Sequence, residues 1–177
     1  MFLFKRKYYL KESEIRAYYN LMAESFSDMG IKAKEDDYIN LKTAIKKNLK
    51  SPQNFYYFIY RDDKICGVFD LAIENGMLYL GNVVFDKVYK GTHLILEFIM
   101  FVLYAPEFYD YNEIYFNIKH KNLKSKSTFI HLGAKVVKNK EESALYCLKR
   151  LDVKTYIEKN NKLKKWVDNI SAHFFIL

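Results

Sequence analysis

Met77-Leu-Tyr-Leu-Gly81-Asn-Val-Val-Phe85 runs into Asp86-Lys-Val88-Tyr-Lys90-Gly91-Thr92-His93, and then into the apolar stretch Leu94-Ile-Leu-Glu97-Phe-Ile-Met-Phe-Val-Leu-Tyr104. After Ala105-Pro106 come Glu113-Ile-Tyr-Phe-Asn117-Ile-Lys-His120 and Asn122-Leu-Lys-Ser125-Lys-Ser-Thr-Phe129-Ile-His-Leu-Gly133-Ala134. The β-rich composition of 77–85 predicts a strand, with Gly81-Asn82 in its middle as a candidate bulge. The turn at 88–93 is glycine-centred and has the size of a phosphate loop. The run from 92 to 104 predicts a helix that stops at the proline. A strand at 113–120 and a short helix at 123–131 complete the stretch.

Working outward, Asn75-Gly76 joins two β-rich runs and is a strong hairpin signal, because both residue types tolerate positive φ. The partner strand covers 65–73, and a turn at 61–64 leads back to a strand at 54–60. Ile15, Tyr18, Tyr19, Met22 and Phe26 follow Ser13-Glu14 at helical spacing, ending at Asp28-Met-Gly30. A second helix at 35–49 carries Tyr38, Leu41, Ile45 and Leu49 on one face and closes at Ser51-Pro52. Residues 2–9 read as an opening strand. On the other side, 134–138 pairs with 144–149. This order predicts an α+β fold, a mixed and mostly antiparallel central sheet with helices on both faces. It forms one domain over 1–153. Tyr156, Leu163, Trp166, Val167, Ile170 and Phe174 recur at helical spacing, so 154–177 reads as one amphipathic helix extending that domain. Its stripe packs on its own domain or makes a homodimer contact.

Half of the 177 residues are apolar and 18% aromatic, enough for a packed core in a chain of this length. Cys66 and Cys147 lie far apart in predicted strands and read as reduced core residues of a cytoplasmic protein. The N-terminal Met1-Phe-Leu-Phe-Lys-Arg-Lys puts charge after apolar residues, the reverse of a secretory signal. The longest apolar run contains Glu97 and is too short to span a bilayer, so no membrane partner is expected. The net charge of +8 favours encounters with polyanions, nucleic acid or a phosphorylated ligand among them. Charge alone carries no specificity, and a nucleic-acid partner is not expected. The four histidines lie at no metal-ligand spacing and no metal is expected; no Walker loop or nucleophile elbow is present.

The segment from Asn122 to Ala134 resembles the Asn-x-x-Ala-x-x-x-Tyr-x-Lys-x-Gly-Phe signature of the GNAT acyltransferases, with its spacing intact. The lead-in Val83-Val-Phe85 resembles that family's Val-x-Pro. The turn 88–93 stands where the family carries Gln/Arg-x-x-Gly-x-Gly/Ala, keeping Gly91 while Val88 and His93 depart from the pattern. The element order over about 2–153 is also the family's. The resemblance implies acetyl-coenzyme A, or another acyl-coenzyme A, as cofactor and acetyl transfer to a primary amine by direct attack. Backbone N–H groups near Val83 would hold the pantetheine arm and polarise the thioester carbonyl. Val88, Lys90, Gly91, Thr92 and His93 would take the pyrophosphate at a helix start, where free N–H groups and partial positive charge gather. Asn122 would contact the cofactor at the next helix's start. The loop 27–34 would wall the acceptor site, which takes a small-molecule or peptide amine.

Amine acylation needs a neutral nucleophile and often an acid for the departing thiolate. The family's usual acid, a tyrosine, is replaced here by Phe129. The strand 77–85 also lacks the carboxylate that many members use as base. Glu74 at the hairpin, Asp70 upstream of it and His120 remain, and Glu74 and His120 are carried as the candidate catalytic residues. Two other readings stand beside this one: a GNAT-like protein that binds acyl-coenzyme A without efficient transfer, and a basic nucleic-acid-binding module.

Overall fold

The computed structural model describes residues 2–89 and 94–174, and the side chains up to 169. It contains seven strands: β1 (Leu3–Lys7), β2 (Asn54–Arg61), β3 (Lys64–Glu74), β4 (Met77–Phe85), β5 (Glu113–Lys119), β6 (Lys135–Asn139) and β7 (Ser143–Lys149). The helices are α1 (Glu12–Ser27), α2 (Glu35–Asn48), α3 (Leu94–Tyr104), α4 (Leu123–His131), α5 (Arg150–Glu158) and α6 (Asn161–Phe174). The strands form one sheet in the order β1-β2-β3-β4-β5-β7-β6. The pairings β1–β2, β2–β3, β5–β7 and β6–β7 are antiparallel. This is the α+β class expected. Among the described residues no helix is long and apolar enough to cross a membrane.

Two compact units share the chain: residues 1–74 with 80–94, and residues 75–79 with 95–177. In the first unit, Leu10, Ile15 and Tyr18 join Tyr38 and Ile45 of α2 over Tyr56 and Phe58 of β2, Val68 of β3 and Val84 of β4. Ile15 and Tyr18 lie three apart and therefore share one face of α1. The start of that helix is closed by Glu14, whose Oε2 accepts from the Lys11 N–H at 2.9 Å. Both hairpin turns of this region are left-handed. Asp62 and Asp63 have φ of 50° and 60° between β2 and β3, and Asn75 and Gly76 have 51° and 74° between β3 and β4. Asp, Asn and Gly are the residues that tolerate this backbone, and two in succession match the twist of the strands.

In the second unit, Phe116 of β5 lies 4.4 Å from Phe129 of α4 and stacks at 6.0 Å on Tyr146 of β7, ring centre to ring centre. Helix α4 ends at Gly133 (φ 99°), whose N–H donates to Ile130 O while the Ala134 N–H donates to Phe129 O. This is the six-to-one and five-to-two closure that a left-handed glycine permits. Cys66 and Cys147 are buried thiols, neither of them in a disulfide.

The single C-terminal helix expected over 154–177 is two helices. Helix α5 starts directly after β7, and the chain breaks at 159–160, where Asn160 Oδ1 accepts the Leu163 N–H at 3.1 Å and opens α6. A side-chain oxygen offered to a free N–H competes with helix continuation, and here it wins. The apolar stripe therefore folds back on itself. Val153 and Ile157 of α5 and Leu163, Trp166 and Val167 of α6 line one small apolar hollow with Leu96, Ile99 and Met100 of α3 and Leu132. The expected stripe residues Ile170 and Phe174 lie outside the described side chains.

Candidate functional site

The first unit holds a carboxylate inside a ring of polar partners. Side chains alternate along β3, so Asp70 points to the same side as Val68, the side that α1 covers. Tyr18, fully buried on α1, donates its hydroxyl proton to Asp70 Oδ1 at 2.5 Å. Asn82 of β4 donates to the same oxygen twice, from its backbone N–H at 3.2 Å and from Nδ2 at 3.1 Å. Three donors thus converge on Oδ1. Oδ2 takes no hydrogen bond from the described residues. It is not shut away, since the described polar side-chain atoms sealed from solvent without a partner are Arg150 Nη1 and Asp152 Oδ2.

The reason the carboxylate fits is Gly81. A Cβ at that position would lie 1.9 Å from Asp70 Oδ2 and 2.9 Å from Cγ, so the carboxylate occupies the space a side chain would need. Burial pushes the Asp70 carboxyl above its ordinary range, and the Tyr18 and Asn82 hydrogen bonds pull back against that without cancelling it. Burial drives the Tyr18 phenol well upward, and the negative charge of Asp70 drives it further. Tyr56, opposite Asp70 in the β2–β3 register, is pushed up to about 12, chiefly by burial, and accepts from Asn48 Nδ2 at 3.2 Å. A partly shielded carboxylate with one oxygen anchored and one free is equipped to take a proton or to face a cation.

The expected site residues are placed as follows. Glu74 ends β3, exposed and without a hydrogen bond among the described residues. Val83 is half-buried in β4, next to Asn82. Val88 is 71% exposed in a short 3-10 turn, where its N–H donates to Asp86 Oδ1 at 2.9 Å. Lys90, Gly91, Thr92 and His93 lie outside the described residues. In the second unit, His120 follows β5 with Nε2 donating to Lys140 O at 2.9 Å, which ties it to the hairpin between β6 and β7. Asn122 caps α4 by accepting the Ser125 N–H at 3.2 Å. Phe129 is buried about two helical turns further on. Asn122 and Phe129 are thus joined by one helix. Asp70, Tyr18 and Asn82 are brought together from three elements, and the sequence marks only part of that: a polar residue inside the run 65–73 and Gly-Asn in mid-strand. Tyr18 reads there as one more apolar-face aromatic.

No family model matches the chain, and neither does any curated protein. Solved structures do. The PaiA N-acetyltransferase of Thermoplasma acidophilum, in complex with coenzyme A, superposes with a TM-score of 0.67 at 14% identity, over 83% of this chain and 99% of that one. The chain has the GNAT fold. A GNAT-family acetyltransferase of Staphylococcus aureus gives 0.66 at 16% identity, over 84% of this chain and 99% of that one. The N-acetyltransferase PseH of Campylobacter jejuni, in complex with acetyl coenzyme A, gives 0.60 at 16%, with the same coverages. At such identities the agreement is one of backbone. Within the GNAT fold, the chemistry of this chain has to be read from its own side chains.

Proposed function

We propose that the protein is an acyl-coenzyme A dependent N-acyltransferase that moves an acetyl group to a primary amine by direct attack, with no covalent enzyme intermediate. The observation that carries this reading is the GNAT fold, shared over more than four-fifths of the chain with N-acetyltransferases, two of them solved with coenzyme A or acetyl coenzyme A. The acyl donor supplies an activated thioester carbonyl. The chain's residues fit such a donor in two respects. Val83 sits in β4 directly after the exposed pair Gly81-Asn82. Asn122 opens α4 with Lys121, Lys124 and Lys126 around it, and a helix start flanked by lysines suits phosphate. Lys90, Gly91, Thr92 and His93 are proposed for the donor's pyrophosphate, and Glu74 and His120 as proton carriers.

Calorimetric titration with acetyl-coenzyme A at two salt concentrations tests the reading. Micromolar binding that survives moderate salt is expected. Absence of binding, with steeply salt-dependent binding to oligonucleotides instead, would overturn it in favour of a basic nucleic-acid-binding module. A second reading, donor binding with negligible turnover, draws on Phe129, a buried ring without the hydroxyl that would serve a departing thiolate. Tight binding with no thiol released across many amines would select it.

A further inference from the structure

Asp70 of β3 is held by Tyr18 of α1 and Asn82 of β4, and the way it is held is asymmetric. Tyr18 and both donors of Asn82 occupy Oδ1, while Oδ2 lies over the Gly81 backbone, unpartnered among the described residues and not fully sealed from solvent. A structural carboxylate in a core commonly distributes its hydrogen bonds over both oxygens, because an unpaired one costs desolvation energy. Here the anchored oxygen fixes the orientation and the other is left available. The anchor is also informative, since Asn82 immediately precedes Val83, the residue whose backbone is proposed above to face the thioester.

We propose that Asp70 Oδ2 is the proton acceptor for the attacking nucleophile, a protonated primary amine, and that Tyr18 is a positioning residue acting through Asp70. This rests on the transferase reading. The ammonium group of the acceptor approaches Oδ2 beside Gly81, drawn by the carboxylate charge. One N–H bond breaks and its proton passes to Oδ2. The freed lone pair forms the N–C bond to the thioester carbonyl carbon, and the C–S bond breaks with its electron pair on sulfur. The second nitrogen proton ends on the thiolate, and Asp70 returns its own proton to solvent. The balance is one amide, one thiol and one proton released. The groups facing Asp70 are Tyr18 from α1, Tyr56 from β2 and Asn82 from β4, and no Lys, Arg or His does so among the described residues. A base in that setting is tuned by burial against hydrogen bonds. Its raised carboxyl lies closer to the pH at which a base must both hold and release a proton than that of an exposed aspartate does.

The test measures thiol release from acetyl-coenzyme A between pH 5 and 9, with water alone and with ethylenediamine, glucosamine or lysine amide as nucleophile. Wild type, Asp70→Asn and Tyr18→Phe are compared, with acetyl-coenzyme A affinity measured by calorimetry for each. Asp70→Asn should lower kcat/KM by ~100-fold or more and flatten the acid limb of the profile, with donor affinity unchanged. Tyr18→Phe removes a hydrogen bond that favours the charged carboxylate, so its acid limb should move to higher pH while the alkaline plateau persists. A wild-type rate and profile in Asp70→Asn, an unshifted limb in Tyr18→Phe, or no thiol release by a wild type that binds the donor would each overturn the assignment. Failure of the wild type to bind acetyl-coenzyme A would instead strike the transferase reading beneath it.

Discussion

Helix α4 and the Asp70 cluster hold their polar groups in different ways. In α4 the polar work is local: Asn122 accepts from Ser125 three residues on, and Gly133 closes the helix on the carbonyl of Ile130. Its buried residue, Phe129, packs against Phe116. In the cluster, Tyr18, Asp70 and Asn82 lie 52 and 12 residues apart in sequence and meet at a single oxygen. The first arrangement makes a rigid helix with an apolar anchor. The second makes an asymmetric carboxylate with a raised affinity for protons. Helix α4 is therefore built to pack, and the cluster is built to titrate.

The largest effect that could break this contrast is on Phe129. Truncation to Ala should lower the unfolding free energy by about 3–5 kcal/mol, read from urea denaturation, because it empties a buried ring site. A stable Phe129→Ala variant would mean that α4 contributes something other than packing. Gly81→Ala should come next, at about 1–3 kcal/mol, since the added methyl and the Asp70 carboxylate cannot share the same space. Pairing it with Asp70→Ala sharpens the test. The penalty should largely vanish in the double variant if the clash is with that side chain. Asn122→Ala should remove the α4 cap at about 1 kcal/mol, visible as a lower Tm.

Asp70→Asn should behave in the opposite way to Phe129→Ala. The folded-state carboxyl of Asp70 is raised above its ordinary 3.8, so ionised Asp70 opposes folding. Its stabilising share is fully present below 3.8 and is lost as pH rises through the folded-state value. The substitution should therefore leave stability unchanged or higher at pH 7, relative to wild type, with that advantage shrinking toward pH 4. A loss confined to neutral pH would show that the ionised form is the one the fold favours. Least of all should follow from Arg16→Ala. Its ion pair with Glu35, 3.1 Å long, is exposed and screened by water, and even with the loss of the guanidinium's contact on the Tyr38 ring the cost should read as only a small fall in Tm.

Strands and turns were the most legible part of this protein. The Asn75-Gly76 hairpin, the strand Met77–Phe85 and the helix Leu123–His131 follow from nearest-neighbour rules of backbone conformation and capping. Those rules act within a few residues. The C-terminal stripe reads as one helix because helical spacing continues across 159–160. The side-chain oxygen of Asn160 breaks the helix there, and the two halves then pack against each other. Tyr18 illustrates a different limit: its spacing on α1 says that it faces inward but not what its hydroxyl meets there.

The sequence by itself determined the order of elements, the places where the backbone turns left-handed and the resemblance that points to acyl-coenzyme A. All of these rest on short-range sterics and on spacing along one helix. Only the tertiary structure decided that Phe129 packs against Phe116, that Gly81 is vacant so that Asp70 can lie over it, and that Tyr18 and Asn82 hold one carboxylate oxygen and leave the other free. The physical reason is that the affinity of a carboxyl group for its proton is set by burial and by donors within about 3 Å. In this chain those donors come from elements that the sequence alone keeps apart.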